Sequence, residues 1–450
     1  MKVHFISIGG SAMHNLALAL HEKGDHITGS DDAIFEPSKS RLSAAGLLPD
    51  ELGWFPEKVH QDLDAVILGM HAKGDNPELI RAQELGLRIY SYPEYLYEHA
   101  KNKTRVVIGG SHGKTTITSM ILHVLKYHDI EVDFMVGAQL EGFDRMVHLT
   151  DTNEIMVLEG DEYLSSPIDL RPKFHLYRAN IALLSGIAWD HINVFPTFDN
   201  YVDQFRIFVD TMVKGGMMVY NQEDDEVRSV VEDSTNQIKK YPYRTPEYRI
   251  ENGATLLETS EGEIPLEIFG KHNLQNLEGA RSICFHLGVG EDEFYEAIAS
   301  FKGASKRLEK IAENQSTVVY KDFAHSPSKV EATTKAVKEQ YMDRNLLACL
   351  ELHTYSSLNE DFLKEYIGTL DAADEAVVFY SPHAVKIKRL KEVTEEQIAK
   401  AFERNDLIIY TEPDKFKDFL FHKDLKNTAV LLMSSGNYGG LDFDEVKTML

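Results

Sequence analysis

The sequence predicts an α/β protein of three domains. Short apolar strands alternate with amphipathic helices along most of the 450 residues, and glycine-rich turns follow two of the strands. The length itself corresponds to about three domains at roughly 150 residues each. Because strand–helix alternation builds parallel sheets with right-handed crossovers, each domain is expected to contain an open parallel sheet.

Composition and charge exclude several classes of protein. Apolar residues make up 43% and charged residues 26% of the chain, which is typical of a globular protein. With 47 basic and 72 acidic residues the formal charge is −25, and no basic stripe interrupts it, so we expect no nucleic-acid partner. The apolar stretches, such as 181–184, are far shorter than the ~20 residues that span a bilayer, and the N-terminus resembles no signal peptide. We therefore expect a cytoplasmic protein with no membrane association, whose two cysteines, Cys284 and Cys349, are buried thiols.

The first hundred residues predict a small parallel sheet. Apolar strands are expected at 3–8, 26–29, 65–68 and 88–90, with helices between them. The turn after the first strand matches the dinucleotide fingerprint poorly, because only Gly9 of the three required glycines is in register. A dehydrogenase is therefore disfavoured, although a helix that starts at this turn could still bind a diphosphate.

The strongest chemical signal is the turn Gly109–Thr116, with the sequence GGSHGKTT, between a strand at 106–108 and a helix at 115–127. Phosphate binding requires tightly turning glycines, a helix N-terminus and a lysine, and Gly110, Gly113 and Lys114 meet these needs. Thr115 would place its hydroxyl on Mg²⁺. The alternative is a glycine-rich turn that binds nothing.

Two side chains follow neighbouring strands and could bind metal at the same sheet edge. Glu159 follows the strand 155–158, and His191 follows the strand 181–184. The carboxyl ends of parallel strands share one edge, and carboxylate and imidazole are reasonable ligands for Mg²⁺ or Mn²⁺. Each residue alone could equally be structural.

The last third predicts a further α/β unit, preceded by short β segments in 243–269. Strands are expected near 317–320, 346–350, 376–379, 407–410 and 429–433. Asn273 suits either an adenine edge or a helix N-cap. From spacing alone, Arg307 and the segment 322–327 are generic loop residues.

Taken together, these motifs resemble the Mur ligase family of peptidoglycan synthesis over essentially the whole chain. The motifs follow the family order: the N-terminal turn, GGSHGKTT, EGDE, DH, HNLQN, RLE and DFAHSP. The resemblance implies a three-domain Mur ligase architecture with a Rossmann-like N-terminal domain, a central P-loop ATPase domain and a Rossmann-like C-terminal domain. It places these at 1–103 for the UDP-sugar, 104–302 for ATP and 303–450 for the acceptor.

The resemblance also implies the ligands of individual residues. The cofactors would be ATP and two Mg²⁺ ions, with Thr115, Glu159 and His191 as metal ligands and Lys114, Glu159, His191 and His325 as catalytic residues. The residues expected to bind ATP are Gly110, Ser111, His112, Gly113, Lys114, Thr115, Thr116, His272, Asn273, Asn276, Arg307 and Asp322. Those expected to bind UDP-N-acetylmuramate are Gly9, Gly10, Ser11, Met13 and Asp31. Several family members use a carbamoylated lysine at a position that is Arg206 here, and arginine cannot be modified in this way.

Within the family, two acceptors are compatible with the sequence. The segments 28–38, 69–77, 324–327 and 433–440 favour the branch that joins UDP-N-acetylmuramate to the tripeptide L-alanyl-γ-D-glutamyl-meso-diaminopimelate. The sibling branch joins L-alanine and has two arginines, suited to a free carboxylate, where this chain reads HTYSS at 353–357. We therefore expect the tripeptide acceptor, with L-alanine as the alternative and the chain as a monomer or homodimer. The rival classes are a nucleotide-binding protein without ligase activity and a folate polyglutamylating ligase, which lacks a domain like 1–103.

Overall fold

The computed structural model describes the chain except for residues 141, 144, 252, 261, 388–390 and 392; residues 384 and 387 are described by their backbone alone. The described residues form two compact units. Unit 1 contains residues 1–186 and 202–243, and unit 2 contains residues 187–201 and 244–450.

The first sheet of unit 1 has four parallel strands in the order β2-β1-β3-β4. The strands are β1 (Lys2–Ile6), β2 (His26–Ser30), β3 (Ala65–Leu68) and β4 (Ile89–Ser91). The helices are α1 (Ser11–Glu22), α2 (Ser38–Ala44), α3 (Pro77–Glu84) and α4 (Tyr92–Ala100). Local sequence fixes two helix starts: Asn76 caps α3 by accepting the N–H groups of Glu78 and Leu79, and Ser91 forms a capping box with Glu94 at α4.

The second sheet of unit 1 has seven strands in the order β11-β10-β9-β5-β8-β6-β7, parallel except for β7. The strands are β5 (Thr104–Gly109), β6 (Asp133–Met135), β7 (Val147–His148), β8 (Ile155–Gly160), β9 (Ile181–Leu184), β10 (Met217–Asn221) and β11 (Lys239–Tyr243). The helices are α5 (Lys114–Tyr127), α6 (Lys173–Leu176), α7 (Phe198–Thr211) and α8 (Asp225–Glu232). Strand β5, which is buried from Arg105 to Gly109, lies between β8 and β9, so the turn that follows it is flanked by the ends of both.

The link between the two sheets of unit 1 is anchored on one buried carboxylate. Asp133 is fully buried, and its oxygens bind His99 Nε2 at 2.7 Å, Lys103 Nζ at 2.6 Å and the Thr150 N–H at 3.0 Å. Burial by itself would raise the pKa of Asp133, but the hydrogen bonds from His99 and Lys103 outweigh it and lower the pKa to about 2. Asp133 is therefore ionised and ties the end of α4 to β6.

Unit 2 contains a three-stranded antiparallel sheet and a six-stranded mixed sheet. The first is formed by β12 (Tyr248–Glu251), β13 (Ala254–Thr259) and β14 (Gly262–Leu266). The second has the order β15-β16-β20-β17-β18-β19, with only its edge strand β15 antiparallel. Its strands are β15 (Glu309–Glu313), β16 (Thr317–Asp322), β17 (Asn345–Leu352), β18 (Glu375–Tyr380), β19 (Ile408–Tyr410) and β20 (Thr428–Met433). The helices are α9 (Lys271–His286), α10 (Glu291–Ile298), α11 (Pro327–Gln340), α12 (Glu360–Leu363), α13 (Pro382–Ile387), α14 (Glu395–Phe402), α15 (Pro413–His422) and α16 (Phe443–Val446).

Strand β17 explains why the six-stranded sheet is covered on both faces. Leu346, Ala348 and Leu350 pack into one apolar cluster, while Leu347 and Cys349 pack into the other. Because successive side chains of a strand point to opposite faces, a strand buried on both faces is apolar throughout.

The predicted fold class is confirmed: the protein is α/β, with parallel strands dominating three of its four sheets. Both cysteines are buried, as expected. Two strands extend beyond the predicted ends, since β8 includes Glu159 and β16 includes Asp322. Among the residues described, we find no helix that combines the length and the apolar character needed to traverse a bilayer.

Candidate active site

The turn between β5 and α5 has the backbone of a phosphate-binding loop. Gly110 and Gly113 have φ angles of +136° and +79°, which favour glycine, and Gly113 is the N-cap of α5. A Cβ on Gly110 would lie 2.1 Å from Ser185 Oγ, so no side chain fits there. The Ser111 N–H donates to the Gly186 carbonyl at 2.9 Å, and Thr116 is buried in the first turn of α5.

A neighbouring residue also constrains the His112 side chain. A Cβ built on Gly186 would lie 2.2 Å from His112 Cε1, so the imidazole fills the space that a side chain at 186 would need. Ser185 Oγ donates to the His112 carbonyl. The loop therefore rests against the end of β9 through backbone and side-chain contacts.

Lys114 is held inside the turn by two oxygen atoms. Its Nζ donates to the Gly110 carbonyl at 2.7 Å and to Glu162 Oε2 at 2.5 Å. Burial alone would lower the pKa of Lys114, but the charges of Glu162 and Asp161 outweigh it and raise the pKa above its usual value. The lysine is therefore a fully charged ammonium, positioned at a helix N-terminus where anions bind.

Thr115 and Glu159 lie in contact beside this turn. Thr115 Oγ1 donates to Glu159 Oε1 at 2.9 Å, and the Gly137 N–H donates to Glu159 Oε2 at 2.8 Å. A Cβ on Gly137 would lie 2.9 Å from Glu159 Oε1, so glycine is needed for the carboxylate to lie there. A hydroxyl and a carboxylate oxygen thus converge at the phosphate-binding turn, which is the oxygen chemistry that Mg²⁺ prefers.

The N-terminal turn uses Asp31 to stabilise its own backbone. Asp31 Oδ2 accepts the Gly9 N–H at 2.7 Å, and burial raises the pKa of this carboxyl. Gly10 is the N-cap of α1, Ser11 is its first residue, and Met13 is buried one turn further on. The predicted contact of Asp31 with UDP-N-acetylmuramate would have to use its remaining acceptor capacity.

A cavity of about 220 Å³ connects the N-terminal turn to Glu159. Ser11, Ala12 and Asn15 line it on one side, and Glu159 and Asp161 on another. The remaining lining residues are Tyr92, Met135, Val136, Gly137, Met146, Val147 and Lys173. One cavity of unit 1 therefore extends from the first turn of α1 to the carboxylate that contacts Thr115.

His191 and His325 lie in unit 2. His191 has a left-handed backbone with φ +55° and donates its N–H to the neighbouring Asp190 Oδ1 at 2.7 Å. Burial would raise the pKa of Asp190, but the charges of Lys329 and His191 lower it to about 2, with Lys329 Nζ 3.7 Å from Oδ2. Burial lowers the pKa of His325 to about 4, so this imidazole is neutral.

The remaining predicted ATP-binding residues are also in unit 2. Gly270, not Asn273, is the N-cap of α9, so the N-cap interpretation of Asn273 is wrong. The positive φ of Gly270, +88°, starts the helix three residues earlier. Asn273 lies inside the helix, where its Nδ2 donates to the Phe269 carbonyl. Burial lowers the pKa of His272 to about 4, and Asn276 is buried one turn along the helix.

Asp322 stabilises the backbone around it. Its Oδ2 accepts the Leu308 N–H and its Oδ1 the Ala324 N–H, both at 2.6 Å. Burial raises the pKa of Asp322 and outweighs the opposing charge of Arg307. Arg307 lies over the Phe323 ring, with Cζ 4.7 Å from the ring centroid.

A second backbone-binding carboxylate lies at the end of β17. Glu351 is buried, and its Oε2 accepts the Ser434 hydroxyl and the Tyr438 N–H. His353 Nδ1 lies 3.5 Å from Glu351 Oε1, and a Cβ on Gly436 would come within 3.0 Å of the same ring. This contact accounts for Gly436 in the segment 433–440. The imidazole is that of His353, the first residue of the segment HTYSS.

Sequence reasoning placed Lys114, Thr115, Glu159 and His191 at one sheet edge. The structure brings the first three together, and the place of His191 beside them stays a prediction. Sequence reasoning missed Glu162 and Lys173: Glu162 is part of the quoted EGDE motif, so a signal was available, whereas nothing marked Lys173. Arg206, at the carbamoyl-lysine position, pairs with Asp203 and is about half exposed. Among the residues described, no three His, Cys, Asp or Glu side chains converge as a metal site.

Three family models match consecutive parts of the chain. "Mur ligase family, catalytic domain" matches residues 2–104, "Mur ligase middle domain" 108–284 and "Mur ligase, glutamate ligase domain" 306–436. A UDP-N-acetylmuramate–L-alanine ligase of Persephonella marina is 31% identical over 375 residues, covering 81% of this chain and 79% of that protein. The chain belongs to the Mur ligase family. Mur ligases are ATP-dependent enzymes of peptidoglycan synthesis that form amide C–N bonds, so the predicted enzyme class is confirmed.

Further relatives and solved structures agree with this assignment. A UDP-N-acetylmuramate–L-alanine ligase of Sulfurihydrogenibium is 29% identical over 445 residues, covering 97% of this chain and 95% of that protein. The UDP-N-acetylmuramate-alanine ligase of Thermotoga maritima is similar with a TM-score of 0.72 at 20% identity, covering 100% of this chain and 97% of that one. The murein peptide ligase of Psychrobacter arcticus has a TM-score of 0.68 at 23% identity, covering 100% and 98%. At such identities the two structures show the shared fold, and the predicted three-domain Mur ligase architecture is confirmed.

The prediction of a tripeptide acceptor is wrong. Relatives that are 27–31% identical over 81–97% of this chain are UDP-N-acetylmuramate–L-alanine ligases, which favours the alternative acceptor. The absence of the two arginines does not exclude L-alanine, because any cation near the acceptor can bind its carboxylate. The segment HTYSS at 353–357 lacks one means of binding L-alanine, and this does not exclude L-alanine as the acceptor.

Proposed function

We propose that this protein joins L-alanine to UDP-N-acetylmuramate at the expense of ATP. The observation that carries this proposal is the cavity of about 220 Å³ lined by Ser11 at the N-terminal turn and by Glu159, which contacts Thr115 of the phosphate-binding turn. A UDP-sugar whose diphosphate binds at the helix N-terminus of α1 can extend its acyl group through this cavity toward the triphosphate. The choice of L-alanine as the acceptor is supported by the relatives that are UDP-N-acetylmuramate–L-alanine ligases.

The residues of unit 1 fit a magnesium nucleotide. Gly110, Gly113 and Lys114 would hold the triphosphate, and Thr115 and Glu159 would hold one Mg²⁺ through their oxygens. Bound Mg²⁺ supplies positive charge that stabilises a phosphoryl group in transfer. His191 as ligand of a second ion, and the division of roles among 1–103, 104–302 and 303–450, belong to the same proposal. The assignment of His272, Asn273, Asn276, Arg307 and Asp322 to ATP rests on the family resemblance and is part of the same proposal.

The chemistry requires an activated carboxylate, because a carboxylate and an amine do not condense in neutral water. Transfer of the γ-phosphoryl group to the muramoyl carboxylate gives an acyl phosphate and ADP. The L-alanine amine then forms the C–N bond while the C–O bond to phosphate breaks. Negative charge develops on oxygen in both steps, and the Lys114 ammonium is positioned to stabilise it.

An acceptor competition tests this proposal. The purified protein is supplied with UDP-N-acetylmuramate, Mg²⁺ and ATP, together with L-alanine or with the tripeptide, and phosphate release and ligated product are measured. We expect a kcat/KM at least tenfold higher with L-alanine. Equal or greater turnover with the tripeptide, or no turnover with either acceptor, would overturn the assignment.

A further inference from the structure

The loop after β8 holds one lysine at a fixed place. The Lys173 N–H donates to the Tyr163 carbonyl at 3.0 Å, and the Phe174 N–H donates to the Asp161 carbonyl at 3.1 Å. These backbone bonds bring Lys173 opposite Asp161, and Nζ lies 2.5 Å from Asp161 Oδ2. Burial would raise the pKa of Asp161, but the charge of Lys173 outweighs it and keeps the carboxyl ionised. The lysine is thus positioned by the fold before any ligand binds.

Lys173 is the cation of the cavity that is lined by Ser11 and Glu159. Among the described residues lining it, Lys173 is the only lysine or arginine, while Glu159 and Asp161 bring two carboxyl groups. Lys114 lies in the phosphate-binding turn and would be occupied by the triphosphate. A ligand that carries a carboxylate into this cavity therefore meets two acidic side chains and one available ammonium.

The substrate of the proposed function has such a carboxylate. N-acetylmuramate differs from N-acetylglucosamine by a lactyl ether that ends in the carboxylate to be phosphorylated. Like charges brought together in a protein interior repel strongly unless a cation lies between them. An ammonium has three N–H donors, so Lys173 can keep Asp161 and still donate to a second carboxylate. Its side chain is 21% exposed, which leaves it accessible.

We propose that Lys173 binds the lactyl carboxylate of UDP-N-acetylmuramate and thereby selects the muramoyl sugar over UDP-N-acetylglucosamine. The inference rests on the proposed function and adds a specificity residue to it. In this role Lys173 compensates for the acidic character of the cavity and orients the carboxylate for phosphorylation.

Direct binding tests the proposal without relying on turnover. Calorimetric titrations with UDP-N-acetylmuramate and with UDP-N-acetylglucosamine are compared in the presence of Mg²⁺ and a non-hydrolysable ATP analogue. We expect Lys173→Met to weaken UDP-N-acetylmuramate binding at least tenfold and UDP-N-acetylglucosamine binding less than twofold. Equal losses for the two sugars, or no loss for either, would overturn the inference.

Three further variants separate a ligand contact from a structural ion pair. Lys173→Arg keeps the charge and should retain most of the selectivity even if Lys173→Met folds poorly. Asp161→Asn removes a competing anion and should leave UDP-N-acetylmuramate binding equal or tighter; a tenfold weakening would mean that the pair serves structure only. Arg171→Met is the matched control, because Arg171 lies in the same loop but pairs with Asp169 and does not line the cavity. It should change neither affinity.

The same titrations distinguish this inference from the function on which it rests. If the wild-type protein binds neither UDP-sugar, the proposed function fails. If the wild type prefers UDP-N-acetylmuramate and Lys173→Met keeps that preference, only the role of Lys173 fails.

Discussion

Carboxylates at the sheet edges of the two units are held in different ways. In unit 1, Glu162 binds Lys114 and Asp161 binds Lys173, side chain to side chain. In unit 2, Asp322 accepts two backbone N–H groups. An ammonium can exchange one anion for another, whereas a carboxylate that leaves backbone donors in a buried loop leaves them unsatisfied. The Lys114 and Lys173 pairs of unit 1 therefore carry charges that a ligand can use, whereas Asp322 of unit 2 stabilises a loop.

The largest expected effect comes from removing the cation of the phosphate-binding turn. Lys114→Ala should lower kcat about 10²–10³-fold, because the ammonium stabilises charge that develops in phosphoryl transfer. Steady-state phosphate release measures this effect, and circular dichroism verifies the fold. Lys126→Ala, at the other end of α5, is the control and should keep wild-type turnover. Full activity of Lys114→Ala would show that the Lys114 ammonium of unit 1 takes no part in phosphoryl transfer.

The partner of Lys114 offers the next test. Glu162→Gln leaves a buried ammonium without its carboxylate, so the free energy of unfolding should fall by about 3 kcal/mol in the absence of nucleotide. Magnesium ATP should then raise the Tm of the variant more than that of the wild type, since the phosphates replace the lost anion. Thermal melts with and without nucleotide provide the measurement. Asp225→Asn, which breaks an exposed pair with Arg228, should change stability by less than about 0.5 kcal/mol. If magnesium ATP raised the Tm of Glu162→Gln less than that of the wild type, this would contradict the expectation that phosphates can replace Glu162 beside Lys114.

Asp133 sharpens the comparison because it is a carboxylate of unit 1 that we do not expect a ligand anion to replace. Its pKa of about 2 lies below the ordinary 3.8, so its stabilising contribution is present above about pH 4 and is lost as the pH falls toward 2. Asp133→Asn should therefore reduce the free energy of unfolding by about 2–3 kcal/mol at pH 7, and the gap to the wild type should close between pH 4 and 2. Urea denaturation across that range measures the gap. A gap independent of pH would mean that the charge of Asp133 is not what stabilises the link.

The smallest expected effect belongs to unit 2. Asp322→Asn keeps the shape but has a single acceptor oxygen, so either the Leu308 or the Ala324 N–H loses its partner at a cost of about 1–2 kcal/mol. Denaturant unfolding should detect this loss, and magnesium ATP should not restore it. The exposed Asp418→Asn, beside His422, is the matched control and should be neutral. Restoration of Asp322→Asn by nucleotide would show that the two units hold their carboxylates for the same purpose.

The sequence predicts well what is local and poorly what is distant. The turn Gly109–Thr116 is readable because strand, glycines, lysine and helix are contiguous, and the apolar runs give most strands to within two residues. The start of α9 and the ends of β8 and β16 were misjudged. Gly270, with its positive φ, begins the helix, and the polar residues Glu159 and Asp322 continue the strands. The pair Lys114–Glu162 joins residues that are 48 positions apart in the sequence. The contact of Lys173 with Asp161 forms only when the loop folds back, so the sequence does not reveal it. The acceptor was misjudged because one short motif was taken to represent a whole binding site.

The contact between His112 and Gly186 makes these two positions mutationally dependent. Since the imidazole occupies the volume into which any side chain at 186 would project, a library randomised at 186 alone should yield glycine among its functional members. Larger residues should become acceptable once 112 is shortened at the same time. Engineering of this loop therefore has to vary the two positions jointly.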